Sequence, residues 1–151
     1  MRARDLVERV PTVRLDADAW DAARLIAERR LPGVVIVDER DRPCCVLTGP
    51  EALRFVLPSY LLDDPALARV MDERSAEALC GERHDRTVGE VVADQGRPLP
   101  VVQEDTTLVE VAVLMARERS PVVAVVSDGA LLGTVTAPRV LAALQSAGSS
   151  P

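Results

Sequence analysis

The chain has 151 residues, and 48% of them are hydrophobic, which is enough for a core in one compact domain or in two small ones packed as a unit. Its net charge of −6 and its single Trp, Tyr and Phe argue against nucleic-acid binding. No apolar run approaches the ~20 residues of a transmembrane helix, and there is no signal-peptide core or disulfide framework. We therefore expect a cytoplasmic protein with no membrane insertion.

The first 59 residues predict a helix, an extended segment, a second helix, two strands and a last helix. Asp16 or Asp18 is expected to cap the second helix, and the Leu-Pro-Gly at 31–33 ends it. Residues 34–37 are fully apolar, so both faces of that strand should be covered. The expected elements are helix 2–9, extended segment 12–15, a helix through Trp20 to about Arg30, strands 34–37 and 44–47, and a helix opened by residues 48–51.

Residues 60–85 predict a helical linker between two similar halves. Asp63-Asp64-Pro65 begins its helix with an acidic first turn, which the helix dipole favours. The helix is expected to end near Gly81 and to carry an apolar stripe that includes Leu67 and Val70. The linker either sets the angle between the halves or covers an edge of a dimer. Residues 147–151 are expected to be a small, polar, disordered tail.

The second half repeats the first plan from Thr87 onward. A short helix spans 87–92, an extended segment spans 98–102, and Asp105 or Thr106 caps the next helix. Two β-branched runs then flank Asp128-Gly129, which is the strongest local signal for a β-hairpin. Thr136, followed by a proline inside the first turn, opens the last helix.

Constant spacing supports an internal duplication. Before the hairpin turn the matching residues lie 89 apart, and after it they lie 88 apart, because one residue is lost in a loop. Each copy is too small to bury both faces of its sheet alone, so the two copies should pack on each other. The matches are Asp16 with Asp105, Ala23 with Ala112, Pro32 with Pro121, Thr48 with Thr136, Pro50 with Pro138, and Leu53 with Leu141.

The order of these features resembles a known family. Each copy has an extended segment, a helix with a central Ala, a helix-ending Pro, an apolar strand into Asp, and a Thr before the last helix. Gly133 stands three residues before Thr136, and Cys45 takes that place before Thr48. The duplicated pattern resembles the tandem cystathionine-β-synthase (CBS) domain pair, or Bateman module. The resemblance implies an α+β fold with two β-α-β-β-α repeats, 1–59 and 86–146, packed as a pseudo-two-fold pair.

The resemblance also implies a sensor rather than a catalyst. Family members typically bind adenosine-containing ligands such as AMP, ADP, ATP or S-adenosylmethionine in clefts between the repeats. They often dimerise and regulate an attached or partner enzyme, channel or transporter. In ligand-binding members a carboxylate three residues after the Thr holds the ribose, since it accepts two hydrogen bonds from a cis-diol. The implied ligand-binding residues here are Thr48, Glu51, Thr136, Arg139, Val13, Pro32, Val102 and Pro121.

The two repeats depart differently from the family's ribose motif. Thr48 is followed by Glu51, which keeps a carboxylate on a longer arm. Thr136 is followed by Arg139, which accepts no hydrogen bond, and we hypothesise that it meets a phosphate or another anion near the helix N-terminus. If only one cleft binds ligand, we expect it around Thr48 and Glu51.

Structural roles compete with these binding roles. Thr48-x-x-Glu51 is equally a capping box, which needs no ligand. Arg139 is also a candidate surface partner for an acidic residue such as Glu51 or Asp38. The Thr that opens the last helix is foremost a cap, and the two helix-ending prolines are foremost helix terminators. Such prolines often border the adenine cleft in the family.

Metal binding and catalysis are not expected. Cys44 and Cys45 are adjacent in a strand, so they point to opposite faces and are best read as buried thiols. Cys80 and His84 are four residues apart, but two ligands do not make a zinc site. No glycine-rich phosphate loop is present, and the only His has no matching nucleophile motif.

The sequence therefore predicts a regulatory tandem CBS module that senses an adenine nucleotide or related ligand and controls a partner protein. It is expected to be a homodimer, to require no cofactor and to bind no nucleic acid. The alternative is a module that keeps the fold for dimerisation or interaction and binds no ligand. The class of partner, whether enzyme, channel or transporter, stays open.

Overall fold

The computed structural model describes residues 1–9, 11–81 and 85–149, and within them the chain forms nine helices and seven strands. In chain order these are α1 Ala3–Leu6, β1 Thr12–Arg14, α2 Ala19–Arg29, β2 Gly33–Val37, β3 Pro43–Thr48, α3 Gly49–Val56, α4 Ser59–Asp63, α5 Ala66–Arg69, α6 Glu73–Gly81, α7 Val88–Gln95, β4 Arg97–Pro98, β5 Val101–Gln103, α8 Leu108–Glu118, β6 Val122–Ser127, β7 Ala130–Thr136 and α9 Ala137–Gly148. The order confirms the predicted α+β fold and its duplicated plan.

The strands form two sheets, with the orders β1-β2-β3-β4 and β5-β6-β7. Each sheet holds one parallel pair followed by an antiparallel hairpin. The extended segment predicted over 98–102 is divided between them, because β4 pairs with β3 whereas β5 opens the second sheet. The first sheet therefore carries a strand from the second half of the chain.

The hairpin of the second repeat forms as predicted. Asp128 and Gly129 have φ values of 51° and 80°. Positive φ at both central positions is the geometry of the two-residue turn whose twist matches that of the flanking strands. The strands pair from Ser127 with Ala130 to Val122 with Thr136.

The short first helix of each repeat packs on the other repeat. Ala3 and Leu6 of α1 are 0% and 1% exposed and belong to the core beneath α8 and α9. Val88 and Val91 of α7 are fully buried in the core of the first sheet, against α2 and α3. Because each half supplies a helix to the other core, the two repeats fold as one interlocked unit.

A third cluster joins the two sheets. Strand alternation sends neighbouring side chains of β2 to opposite faces, so Val34 and Ile36 face helices while Val35 and Val37 belong to this cluster. Ala124 of β6 belongs to the same cluster. Both faces of β2 are therefore covered, as its apolar sequence predicts.

Thr134 carries a buried hydroxyl in this region and is the site of a stability prediction. It pairs with Ala124, is 1% exposed, and its Oγ1 has no hydrogen-bond partner among the described residues. Burial without a partner is costly, and the equivalent residue of the first repeat is Val46. Thr134→Val should therefore raise the free energy of unfolding, measured by urea denaturation, by about 1 kcal/mol.

A matched threonine supplies the control. Thr107 caps α8, and its hydroxyl accepts a hydrogen bond from the Glu110 amide at 3.3 Å. Thr107→Val should lower the free energy of unfolding by about 0.5–2 kcal/mol. Destabilisation by both substitutions would contradict the unpaired state of the Thr134 hydroxyl.

Several local predictions need correction. The prediction of a single linker helix is wrong, because three short helices occupy 59–81. Asp72 begins the third of them by accepting a hydrogen bond from Ser75 N at 2.7 Å. Two residues of the linker's expected apolar stripe are exposed, Leu67 at 39% and Val70 at 79%. The cap of α8 is Thr107 rather than either neighbour named from the sequence.

The ends of other predicted segments also differ. Asp18 is the residue that caps α2, where it accepts from Trp20 N at 2.8 Å. Helix α9 continues to Gly148, so residues 147–148 of the expected tail are helical. Residues 150–151 of that tail and 82–84 of the linker lie outside the described residues.

Candidate functional site

The hairpin register places the helix-ending proline beside the threonine that opens the last helix. In the first repeat Gly33, which follows Pro32, pairs with Thr48. In the second repeat the Ala137 amide donates to the Pro121 carbonyl at 3.1 Å. Each repeat therefore brings together two of its predicted site residues.

One groove joins these elements across the repeats, and we call it the interrepeat groove. Its volume is about 730 Å³, within the range of ligand sites. Helices α8 and α9 form an apolar wall, and Ser120 and Arg119 lie at the end of α8. The rest of the lining includes Pro32, Thr48, Pro50, Arg97 and Pro121.

Glu51 is the third residue of α3 and completes the capping box whose N-cap is Thr48. It is 9% exposed, and its Oε2 accepts a hydrogen bond from Thr48 N at 3.1 Å. Its other oxygen, Oε1, lies 3.8 Å from Nε of Arg97. The capping box predicted from the sequence is therefore formed, and the carboxylate stands behind Thr48 rather than in the lining of the interrepeat groove.

Arg97 links the two repeats at the groove. Its backbone pairs with Val46 in the first sheet, and its side chain lies beside Glu51. Its Nη2 donates to the carbonyl oxygens of Arg119 at 3.0 Å and Glu118 at 3.4 Å. These carbonyls end α8, where a cation is favoured by the helix dipole. Arg97 is not recognisable as a groove residue from the sequence, because nothing local marks its distant partners.

The Thr136 end of the second repeat is arranged differently. Thr136 Oγ1 donates to Glu8 Oε2 at 2.9 Å. Arg139 is exposed, and its side chain has no hydrogen bond or ion pair with any described residue. Its suggested pairing with Glu51 or Asp38 is not found: Glu51 faces Arg97, and Asp38 is paired with Arg42 at 3.1 Å.

The eight predicted site residues thus fall into separate places. Pro32, Thr48 and Pro121 line the interrepeat groove, and Glu51 lies behind it. The two predicted valines lie instead in separate cores, Val13 at 9% exposure in the first and Val102 at 8% in the second. Thr136 and Arg139 are outside the lining of this groove.

A second groove, of about 490 Å³, lies between α2 and α3 and is the counterpart of the first. Ala23, Ala27 and Leu53 line it where Ala112, Ala116 and Leu141 line the interrepeat groove, at the spacings of the duplication. The interrepeat groove extends to Thr48 of the first repeat and to Arg97, whose backbone pairs with the first sheet. The α2–α3 groove does not extend to their counterparts Thr136 and Glu8.

The cysteines differ from their predicted burial. Cys44 is exposed near the start of β3, which begins at Pro43 directly after the turn. Cys45 is half-buried, and burial raises the pKa of its thiol to about 11. Among the described residues, no group of three or more His, Cys, Asp or Glu is arranged to hold a metal ion. His84, weighed as a ligand, lies outside them.

None of the described helices combines the length and apolarity needed to cross a membrane. A search of functionally curated proteins gave no match to the chain.

Solved structures and family models do match it. A CBS domain-containing protein of unknown function from Kribbella flavida is 43% identical, with a TM-score of 0.84 over 96% of this chain and 99% of that chain. CBSX2, an Arabidopsis thaliana protein solved in complex with AMP, is 21% identical, with a TM-score of 0.68 over 97% and 98% of the chains.

The CBS domain pair of protein MJ0100, in complex with 5′-methylthioadenosine and S-adenosylmethionine, is 18% identical, with a TM-score of 0.67 over 97% and 98% of the chains. The CBS domain model matches residues 3–57 and 88–146, which are the two repeats. The chain therefore belongs to the CBS domain family and carries its domain twice, as a tandem pair.

Proposed function

We propose that this chain is a regulatory module that binds an adenosine-containing ligand in the interrepeat groove and controls a partner protein. The observation that carries the proposal is the lining of that groove, which combines Thr48 and Pro32 of the first repeat with α8 and α9 of the second. Two structural neighbours were solved with AMP or with S-adenosylmethionine. We assign the chain no catalytic role.

The chemistry of the groove suits a flat apolar ring joined to an anionic group. Its wall contains Met115, Val140 and Leu141, which offer apolar area to a purine. Arg97 and Arg119 are the charged residues of its lining. Nε and Nη2 of Arg97 already face Glu51 and the carbonyls that end α8. Arg119, whose side chain has no partner among the described residues, offers the planar fork of two parallel donors that suits phosphate. This pattern favours AMP, ADP or ATP over the cationic S-adenosylmethionine.

The signal would be a change in how the repeats pack. A ligand held by both repeats binds one packing arrangement better than others and shifts the population toward it. The module would act as a homodimer, with exposed apolar residues outside both groove linings as its contacts; Val109 and Val113 of α8 are 62% and 51% exposed. Such exposed apolar residues are available for contacts with a second copy or with the regulated protein.

Thermal melting with a ligand panel tests the proposal. AMP, ADP, ATP and S-adenosylmethionine would each be added, with GMP and ribose 5-phosphate as controls for the base and the phosphate. A ligand at 100 times its Kd adds about 2.7 kcal/mol, which raises Tm by about 5–10 °C for a chain of this length. We expect the largest shift with an adenine nucleotide.

The same panel addresses the second candidate, a ligand-free interaction module. Arg139 favours that reading, because it replaces the ribose carboxylate of the second repeat with a cation. A flat response to all adenosine compounds would contradict nucleotide sensing and support the interaction module.

A further inference from the structure

Glu8 and Arg97 are equivalent residues that carry opposite charges. They are 89 residues apart, which is the spacing of the duplication. Each pairs its backbone with the last strand of the other repeat. Glu8 N donates to the Thr134 carbonyl at 2.8 Å, and Thr134 N donates to the Glu8 carbonyl at 3.2 Å. Arg97 occupies the same position against Val46 in the first sheet.

The residues three positions after the two threonines are also inverted in charge. Arg97 lies beside Glu51 at the start of α3, and Arg139 is the counterpart of Glu51 at the start of α9. Arg97 and Glu51 thus form an ion pair in the first sheet, whereas their counterparts Glu8 and Arg139 carry the reversed charges and form no ion pair with each other. We call the surroundings of Thr48 the Thr48 end and those of Thr136 the Thr136 end. Equivalent positions at the two ends carry opposite charges.

The carboxylate at the Thr136 end is already engaged with the predicted ligand residue. Glu8 accepts the hydrogen bond of the Thr136 hydroxyl at 2.9 Å. At the other end Arg97 turns toward the carbonyls that end α8, and Thr48 stays in the lining of the interrepeat groove. The α2–α3 groove stops short of Thr136.

Buried contacts hold Glu8 in this position. Leu6 is 1% exposed in the second core, and the Ala3 amide donates to the Thr106 carbonyl at 2.7 Å. Gly133 allows the backbone at residues 7–8 to lie directly against β7. A Cβ at this position would overlap the Val7 side chain and lie 2.9 Å from the Glu8 carbonyl oxygen. The position of Glu8 thus rests on α1 and on a glycine, not only on an exposed hydrogen bond.

We propose that Glu8 closes the Thr136 end to anionic ligands, so that each chain binds one nucleotide, in the interrepeat groove. A carboxylate at this place repels phosphate, offsets the attraction that Arg139 would exert at the same helix end, and occupies the hydroxyl that a ligand would use. Glu8 is thereby a specificity-determining residue that makes the two ends of the module unequal. This inference rests on the proposed nucleotide binding.

Calorimetric titration of AMP tests the inference through its stoichiometry. Wild type should bind one AMP per chain, and Glu8→Ala, which keeps the backbone pairing, should bind two. Glu28→Ala, which removes another exposed acidic residue, at the end of α2, should still bind one. A second variant, Glu8→Arg combined with Arg139→Glu, gives the Thr136 end the charges of the Thr48 end and should also bind two.

The outcomes separate this inference from the proposed function. One AMP bound by wild type and by both Glu8 variants would overturn the role of Glu8 and leave nucleotide binding intact. Two AMP bound by wild type would overturn it as well. No binding by any of the proteins would overturn both proposals.

Discussion

Leu6→Ala should lower the free energy of unfolding by about 2–5 kcal/mol, the usual cost of truncating a buried leucine. Leu6 is 1% exposed and packs in the core with α8, α9 and the second sheet, although it lies in the first helix of the chain. The cavity would open beneath the second repeat and loosen the anchor of the N-terminal segment. Urea denaturation monitored by circular dichroism measures the change.

The control is Leu53→Ala, the same substitution at a leucine that is 58% exposed. It should change the free energy of unfolding by no more than about 0.5 kcal/mol. A cost for Leu6→Ala as small as that of the control would contradict the packing of α1 on the second repeat. It would also remove the structural basis for the position of Glu8.

Ala116→Trp should weaken AMP binding by more than about tenfold, equivalent to about 1.4 kcal/mol. Ala116 is exposed and lines the interrepeat groove on α8, so an indole there occupies the space that we assign to the ligand. Because the side chain lies outside the cores, the thermal midpoint without ligand should change little. Calorimetric titration of AMP measures the affinity.

Ala27→Trp is the matched control, since Ala27 is the exposed counterpart of Ala116 in the α2–α3 groove. It adds the same side chain to the equivalent helix position of the other repeat. AMP affinity should be unchanged in this variant. Equal losses in both variants, or a loss in Ala27→Trp alone, would contradict the assignment of the ligand to the interrepeat groove.

Local signals in the sequence were sufficient for most of the fold. Asp128-Gly129 between β-branched runs determines a hairpin through backbone conformation alone, and Thr48-x-x-Glu51 forms the helix cap that its spacing predicts. The same kind of signal was available at Thr107 and Glu110, whose spacing is a capping box. The family resemblance then supplied how the two copies pack.

Local signals do not predict that each repeat packs its first helix on the core of the other repeat. The apolar residues of α1 predict a helix with one buried face, but periodicity does not state which sheet covers that face. The division of the 98–102 segment between two sheets has the same cause. Both features depend on contacts between distant parts of the chain.

Three residues of the interrepeat groove were predictable as site candidates, because the duplication marked them. Pro32, Thr48 and Pro121 were identified through the repeat and the resemblance, and they line one groove. The apolar wall of the groove on α8 and α9 was not identified from the sequence, because groove residues on a helix have the same sequence pattern as core residues. Arg97 was missed because its contacts, to Glu51 and to the end of α8, join segments far apart in sequence.

The most direct test of the account is the location of bound AMP, mapped by backbone amide chemical shifts in an NMR titration. Ligand in the interrepeat groove should move the amide signals of Thr48, Arg97 and Ala116 together with a single saturable dependence on AMP. The signal of Ala27, in the α2–α3 groove, should stay in place. Shifts centred on Ala27, or no saturable shift at any amide, would contradict the account.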